Sequence, residues 1–155
     1  MIPRLPILPG LVAAALAASA TVATAAPIAT TGAWCRPAAA GAPSAACYLT
    51  LIAKADDSLV GVESAAAERV ETHQMDMAGA IMRMKKVASI PLPAGKPVAL
   101  QPGGLHLMLI RPKAALAAGG STELTLRFAK APPVTVRAEV RDPVAASAPM
   151  HDHHR

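Results

Sequence analysis

The sequence predicts an all-β sandwich, and three observations carry that expectation. From Gly32 onward the chain runs as short segments in which apolar and polar residues alternate with a period of two. Breakers fall between these segments at Pro43, Pro91 to Gly95, Pro102-Gly103-Gly104, Gly119-Gly120 and Pro132-Pro133. No interval between breakers holds a helix of ordinary length, so the high alanine content is a weak propensity that the alternation outweighs.

Taken in order, strands are expected near Trp34–Cys35, Cys47–Ala53, Leu59–Ser64, Val70–Met77, Ala80–Val87, Val98–Leu100, Leu105–Ile110, Glu123–Phe128 and Val134–Val140. Ala65–Arg69 has helical leanings and reads as a single turn at most. After Pro143 the chain becomes Val-Ala-Ala-Ser-Ala-Pro and ends Met150-His151-Asp152-His153-His154-Arg155, which supplies no packed core and reads as a flexible tail.

The first 26 residues carry a basic start at Arg4, an apolar run from Leu11 to Ala23, and small residues at Ala23 and Ala25. These are the three parts of an export signal, with cleavage expected between Ala25 and Ala26. Pro6, Pro9 and Gly10 leave too short an uninterrupted helix to span roughly 30 Å of hydrocarbon. No cysteine follows the apolar run closely enough to accept a lipid. The expected organisation is therefore a signal at 1–25, one β-domain at 26–142 and a tail at 143–155, in a protein outside the cytoplasm.

The net charge of +5 does not make a nucleic-acid footprint, because the cations are scattered and only one Trp, one Tyr and one Phe are present to stack on bases. Cys35 and Cys47 are the only cysteines, and an even pair in an exported chain reads first as a disulfide. A redox or metal-thiolate pair competes with that reading but lacks C-x-x-C spacing.

The methionines point to chemistry. Of seven, all but Met1 and Met150 fall between Met75 and Met108. Alternation puts Glu71, His73, Met75 and Met77 on one face of their strand, and a short turn returns the chain through Ile81-Met82-Arg83-Met84. A turn at Ala78-Gly79 would set His73 opposite Met84, whereas a turn at Gly79-Ala80 would set Met75 opposite Met84. Both registers keep the His and Met side chains on one face. On a third strand Leu105, Leu107 and Leu109 turn one way and His106, Met108 and Ile110 the other.

Thioether and imidazole are neutral donors, and soft sulfur favours Cu(I) over magnesium or calcium. Zinc normally recruits thiolate or carboxylate beside histidine, and neither is expected among the donors of this set. Blue copper needs a cysteine thiolate, and neither cysteine adjoins the cluster, so electron transfer is disfavoured. An isolated methionine usually fills a core gap, but same-face His–Met pairing on both the hairpin and the third strand is not explained by gap filling.

The spacing His73, ten residues, Met84, twenty-one residues, His106, one residue, Met108 resembles the H-x10-M-x21-H-x-M signature of the periplasmic PCu(A)C copper chaperones. Ala46-Cys47-Tyr48-Leu49-Thr50-Leu51, Glu71-Thr72-His73-Gln74-Met75 and the run from Leu100 to Leu109 resemble the flanking family words, and the likeness covers about Ala33 to Val140. The resemblance implies a cupredoxin-like Greek-key β-sandwich of about eight or nine short strands. It also implies Cu(I) held by His73, Met84, His106 and Met108, with Met75 and Met82 as neighbouring sulfur. Met150, His151, His153 and His154 resemble the His/Met-rich extensions associated with a second copper, including Cu(II).

The implied role is that of a monomeric periplasmic carrier, not an enzyme, which passes copper by ligand exchange to the Cu(A) subunit of cytochrome c oxidase alongside a Sco-type thiol protein. It would meet the membrane only through that oxidase. Three rivals remain at this point: a periplasmic copper scavenger that confers tolerance, a thiol–disulfide oxidoreductase working through Cys35 and Cys47, and a metal-free structural or adhesive sandwich, which does not explain the ligand spacing.

Overall fold

The computed structural model describes residues 27–143, so the expected signal at 1–25 and the tail histidines lie outside the described residues. Ten strands follow one another along this span: β1 Ile28–Cys35, β2 Ser44–Ala53, β3 Asp57–Glu63, β4 Ala67–Ala78, β5 Ile81–Lys86, β6 Ile90–Leu92, β7 Pro97–Leu100, β8 Leu105–Pro112, β9 Ser121–Phe128 and β10 Val134–Val140. The expected all-β class holds, and no helix occurs among the described residues.

The strands join in one sheet of order β5-β4-β8-β2-β1-β10-β9-β3-β6, with β7 also on β2. One edge of β2 is divided: Ser44–Cys47 pair with β8 and Leu49–Ile52 with β7. The sheet folds back on itself until β6, at its far end, meets β2. Alternate side chains then face a common interior, and the pattern is plainest on β9 and β10, where every second residue is buried. Leu51, Leu59, Ile90, Leu92, Leu107, Leu109, Leu124 and Leu126 make the centre of that interior.

Three details differ from the sequence expectation. β1 begins at Ile28 and pairs with β2 across a bulge between Thr31 and Trp34, so a two-residue strand becomes one of eight. β6 is a strand despite Pro91, because it lies at the edge of the sheet and pairs only with β3, where a missing N–H costs no ladder bond. Ala65 and Ala66 form a plain turn and Ala67–Arg69 already belong to β4, so no helical turn exists there.

Cys35 and Cys47 are directly opposite each other on β1 and β2 and form a disulfide, with their Cα atoms 4.0 Å apart. Both are fully buried on the core face. A bridge with no exposed sulfur offers no target to an attacking thiolate, which favours the structural role over the redox one.

Candidate metal centre

β4 is the spine of the site. The β4–β5 turn is Gly79-Ala80, which pairs Met75 with Met84, Met77 with Met82, and His73 with Lys86. The choice follows from backbone sterics. Gly79 has φ +69° while Ala80 does not enter the positive-φ region, so this is a turn with glycine at its first central position. A turn at Ala78-Gly79 would need positive φ at an alanine or a splayed hairpin, so the register that set His73 opposite Met84 is not the one formed.

On its other edge β4 pairs with β8, with His73 opposite His106 and Glu71 opposite Met108. The pairing continues to β2, where Ala46 faces Met108 and Cys47 faces Leu107. One face of three adjoining strands therefore carries Met84, Met75, His73, Glu71, His106 and Met108, while Leu107, Leu109 and the disulfide occupy the reverse. The cysteines belong to the core and not to this face.

The closest approach in the cluster is between His106 Nε2 and Met84 Sδ, 3.3 Å apart. β5 and β8 are separated by β4, a span of roughly 9.5 Å between backbones, so both side chains lean inward over β4 to meet. His106 Nδ1 lies 3.0 Å from the Gly104 carbonyl, which only accepts, so Nδ1 carries the proton. In the neutral ring Nε2 is then a lone pair facing a sulfur lone pair. Such a contact becomes favourable when a soft cation enters it.

His73 is fixed the opposite way round. Its Nε2 lies 2.9 Å from Glu71 Oε2, and the carboxylate accepts, so Nε2–H donates. Its Nδ1 is buried with no hydrogen-bond partner. An orphaned acceptor in a buried position is costly unless something occupies it. The two imidazole rings are 5.9 Å apart between centroids, and the Tyr48 ring stands 6.5 Å from that of His106. Tyr48 packs in turn on Trp34 at 4.6 Å, and Arg141 lies 5.0 Å over the indole.

Glu71 is a functional group that residue spacing does not single out, and it corrects the expectation that no carboxylate accompanies the set. It accepts from Arg69 Nε at 2.9 Å, His73 Nε2 at 2.9 Å and Lys86 Nζ at 3.1 Å. These bonds, Arg69 first, hold its carboxyl at about 2, so it is ionised at all ordinary pH. The available signal was its place two residues before His73 on the same strand face. Tyr48 was missed because its place beside His106 depends on cross-strand register, and the Gly104 carbonyl because its bond to a ring two residues along depends on loop geometry.

The structure thus brings His73, Met84 and His106 together, places Met108 on the same face one step along β8, and sets Met75 and Met82 beside Met84 and Met77. Met150, His151, His153 and His154 lie outside the described residues. Among the described residues no three His, Cys, Asp or Glu side chains gather as a metal site, so a metal on this face would take thioether sulfur beside the imidazoles.

The fold is similar to that of solved copper-binding domains. The chain is 30% identical to the copper-bound PCuAC domain from PmoF2, with a TM-score of 0.64 over 77% of this chain and 97% of that one. It is 27% identical to CuI-DR1885 from Deinococcus radiodurans, with a TM-score of 0.52 over 74% and 80% of the two chains. Fold and sequence similarity together define a cupredoxin-like domain of the PCuAC class. Residues 28–140 match the family described as putative lipoprotein LpqE-like, and the chain belongs to that family. A curated relative, the putative lipoprotein Lxx21020 of Leifsonia xyli subsp. xyli (strain CTCB07), is 35% identical over 85 residues, which make up 54% of this chain. The chain spans about half the length of that relative, 51%.

Proposed function

We propose that this protein carries Cu(I) outside the cytoplasm, held by His73, Met84, His106 and Met108, and releases it by ligand exchange to the Cu(A) site of cytochrome c oxidase. The observation that carries the reading is the pair of preset imidazoles: His106 offers Nε2 beside Met84 sulfur, and His73 offers a buried Nδ1 that nothing else satisfies. The similar PmoF2 domain is copper-bound, which supports the same metal. Two neutral nitrogens and two thioethers suit a soft monovalent ion. On this reading the role is carriage.

Exposure suits the hand-over. Met84 is 52% exposed, so an incoming ligand reaches the metal from solvent while the imidazoles hold it from beneath. The family's lipoprotein descriptions go with export, and the apolar N-terminal run supports a periplasmic protein cleaved near Ala25. A Sco-type thiol protein fits as a co-worker that keeps the receiving cysteines reduced, and the tail histidines fit an auxiliary Cu(II) site.

The test is an anaerobic Cu(I) titration against a competing chelator, run on the full chain, on a chain ending at Asp142, and on His73→Ala and Met108→Leu. One tight equivalent is expected in the first two, weakened by on the order of tenfold or more in each variant, as for loss of a metal ligand. Undiminished binding in both variants overturns the ligand set. In cells, loss of the protein is expected to lower oxidase activity in a way that added copper relieves. Copper sensitivity with normal oxidase activity would instead indicate a scavenger.

A further inference from the structure

The hairpin tip holds sulfur that the four-ligand site does not use. Met77 is 63% exposed and Met82 56%, with Ile81 beside them at 59%. Neither methionine fills a gap in the core, the usual task of that side chain. They are paired in register, Met77 with Met82, directly outside the pair Met75 with Met84. All four point to the same face, since residues two apart along a strand do so.

We propose that Met77 and Met82 form a second, weaker soft-metal site at the tip of the β4–β5 hairpin, where Cu(I) lands before passing by way of Met75 to Met84 and His106. This rests on the reading of the main site as a copper site and adds its route of entry. Directly opposed residues have Cβ atoms about 4.5–5.5 Å apart, close enough for two thioethers to share one ion. Successive pairs lie about 6.7 Å apart along the strands, within the swing of a side chain with three rotatable bonds.

At each step one Cu–S bond forms as another breaks. The thioethers are neutral, so no proton moves, and copper stays Cu(I) throughout. Alternation sends Arg83 and Lys85 to the opposite face, where they pair with Asp76 and Gln74, and the cation on the methionines' own face, Lys86, lies two residues beyond Met84 and is held by Glu71 at 3.1 Å. If the tip were only an apolar contact for another protein, leucine would serve in place of methionine.

The experiment uses the full chain labelled with 13C at the methionine methyls, titrated anaerobically with Ag(I), a redox-inert soft probe. The first equivalent is expected to move the Met84 and Met108 methyls, and the second to move Met77 and Met82 together with one shared, weaker saturation. Met77→Leu, an exposed and shape-conserving change, should abolish the Met82 shift and leave the first equivalent as tight as before. It should also slow Cu(I) uptake from a small chelator complex by at least about tenfold, a modest share of what a tethered second site gives. Met77 and Met82 methyls unmoved through two equivalents, or an unchanged uptake rate in Met77→Leu, overturn the landing site. If instead no methyl moves at the first equivalent, it is the main-site reading that has failed.

Discussion

Glu71 does for His73 what the Gly104 carbonyl does for His106: each takes the proton-bearing nitrogen and leaves the other to face the cluster. The arrangement has an asymmetry that is directly measurable. In metal-free protein near pH 8, long-range 1H–15N correlation should find His73 protonated at Nε2 and His106 at Nδ1. The same tautomer at both residues contradicts the hydrogen-bond assignment. Removing the clamp with Glu71→Ala should weaken Cu(I) about 10- to 100-fold, the usual effect of an outer-sphere partner, while Glu71→Gln, which still accepts from Nε2–H, should lose less. Glu71 also has a pH signature. Its carboxyl is held at about 2, below its ordinary 4.5, so the stability it contributes is complete above 4.5 and drains away as pH falls toward 2. Metal-free Glu71→Gln should show a flatter acid limb over that window when thermal unfolding is followed against pH. An unaltered limb would mean that the ion-pair hub is not formed in solution. Residue spacing put Glu71 on the face of His73 but did not reveal the tautomers, because each depends on which ring nitrogen turns toward an acceptor two residues back along the chain.

At the scale of the element, the hairpin decides where the sulfur goes. Alternation alone put the His and Met side chains on one face, since both candidate registers keep the same parity. It did not decide between them. The deciding factor was the backbone at Gly79, whose φ of +69° an L-residue adopts only at a cost of about 1–2 kcal/mol. Gly79→Val is therefore expected to lower the melting temperature and, by loosening β5, to weaken Cu(I) through Met84. A lower melting temperature with copper affinity untouched would show that β5 holds its place without the turn. β5 is an edge strand with every residue exposed, and Arg83, Lys85 and Lys86 protect it from pairing with other chains. β8 is its counterpart in the interior. Leu107 and Leu109 are fully buried on one face while His106 and Met108 stand on the other, so the strand that presents two of the proposed ligands also anchors the core. Leu107→Ala should cost about 2–5 kcal/mol of stability and shift His106 with it, a change read in both denaturant unfolding and copper affinity. β6 shows the opposite limit of pattern reading. Pro91 has the look of a breaker, and only the position of its strand at the sheet edge makes it compatible with pairing.

Across the whole molecule, period-two patterning between glycine and proline breakers was enough to set the class and most of the strands. It was not enough to say how the strands close over one another. That closure depends on long-range partners such as β1 with β10 and β4 with β8, which no local window contains. The disulfide belongs to this scale. It joins β1 to β2 across a sequence separation of 12, on the opposite side of the sheet from the His–Met face. In the loop-entropy description such a bridge contributes about 3 kcal/mol, and nothing connects it to the ligands except the strands themselves. The double variant Cys35→Ser/Cys47→Ser should therefore lose about that much stability, since the bridge acts chiefly on the unfolded chain. Wherever it remains folded it should keep one Cu(I) equivalent with unchanged affinity, and in a transfer assay it should still pass copper to an isolated Cu(A) domain of the oxidase, the acceptor proposed above. Denaturant unfolding, chelator competition and the transfer assay separate these quantities. Transfer lost while binding is intact would assign the cysteines a chemical part in delivery, and the burial of both sulfurs argues for the other outcome.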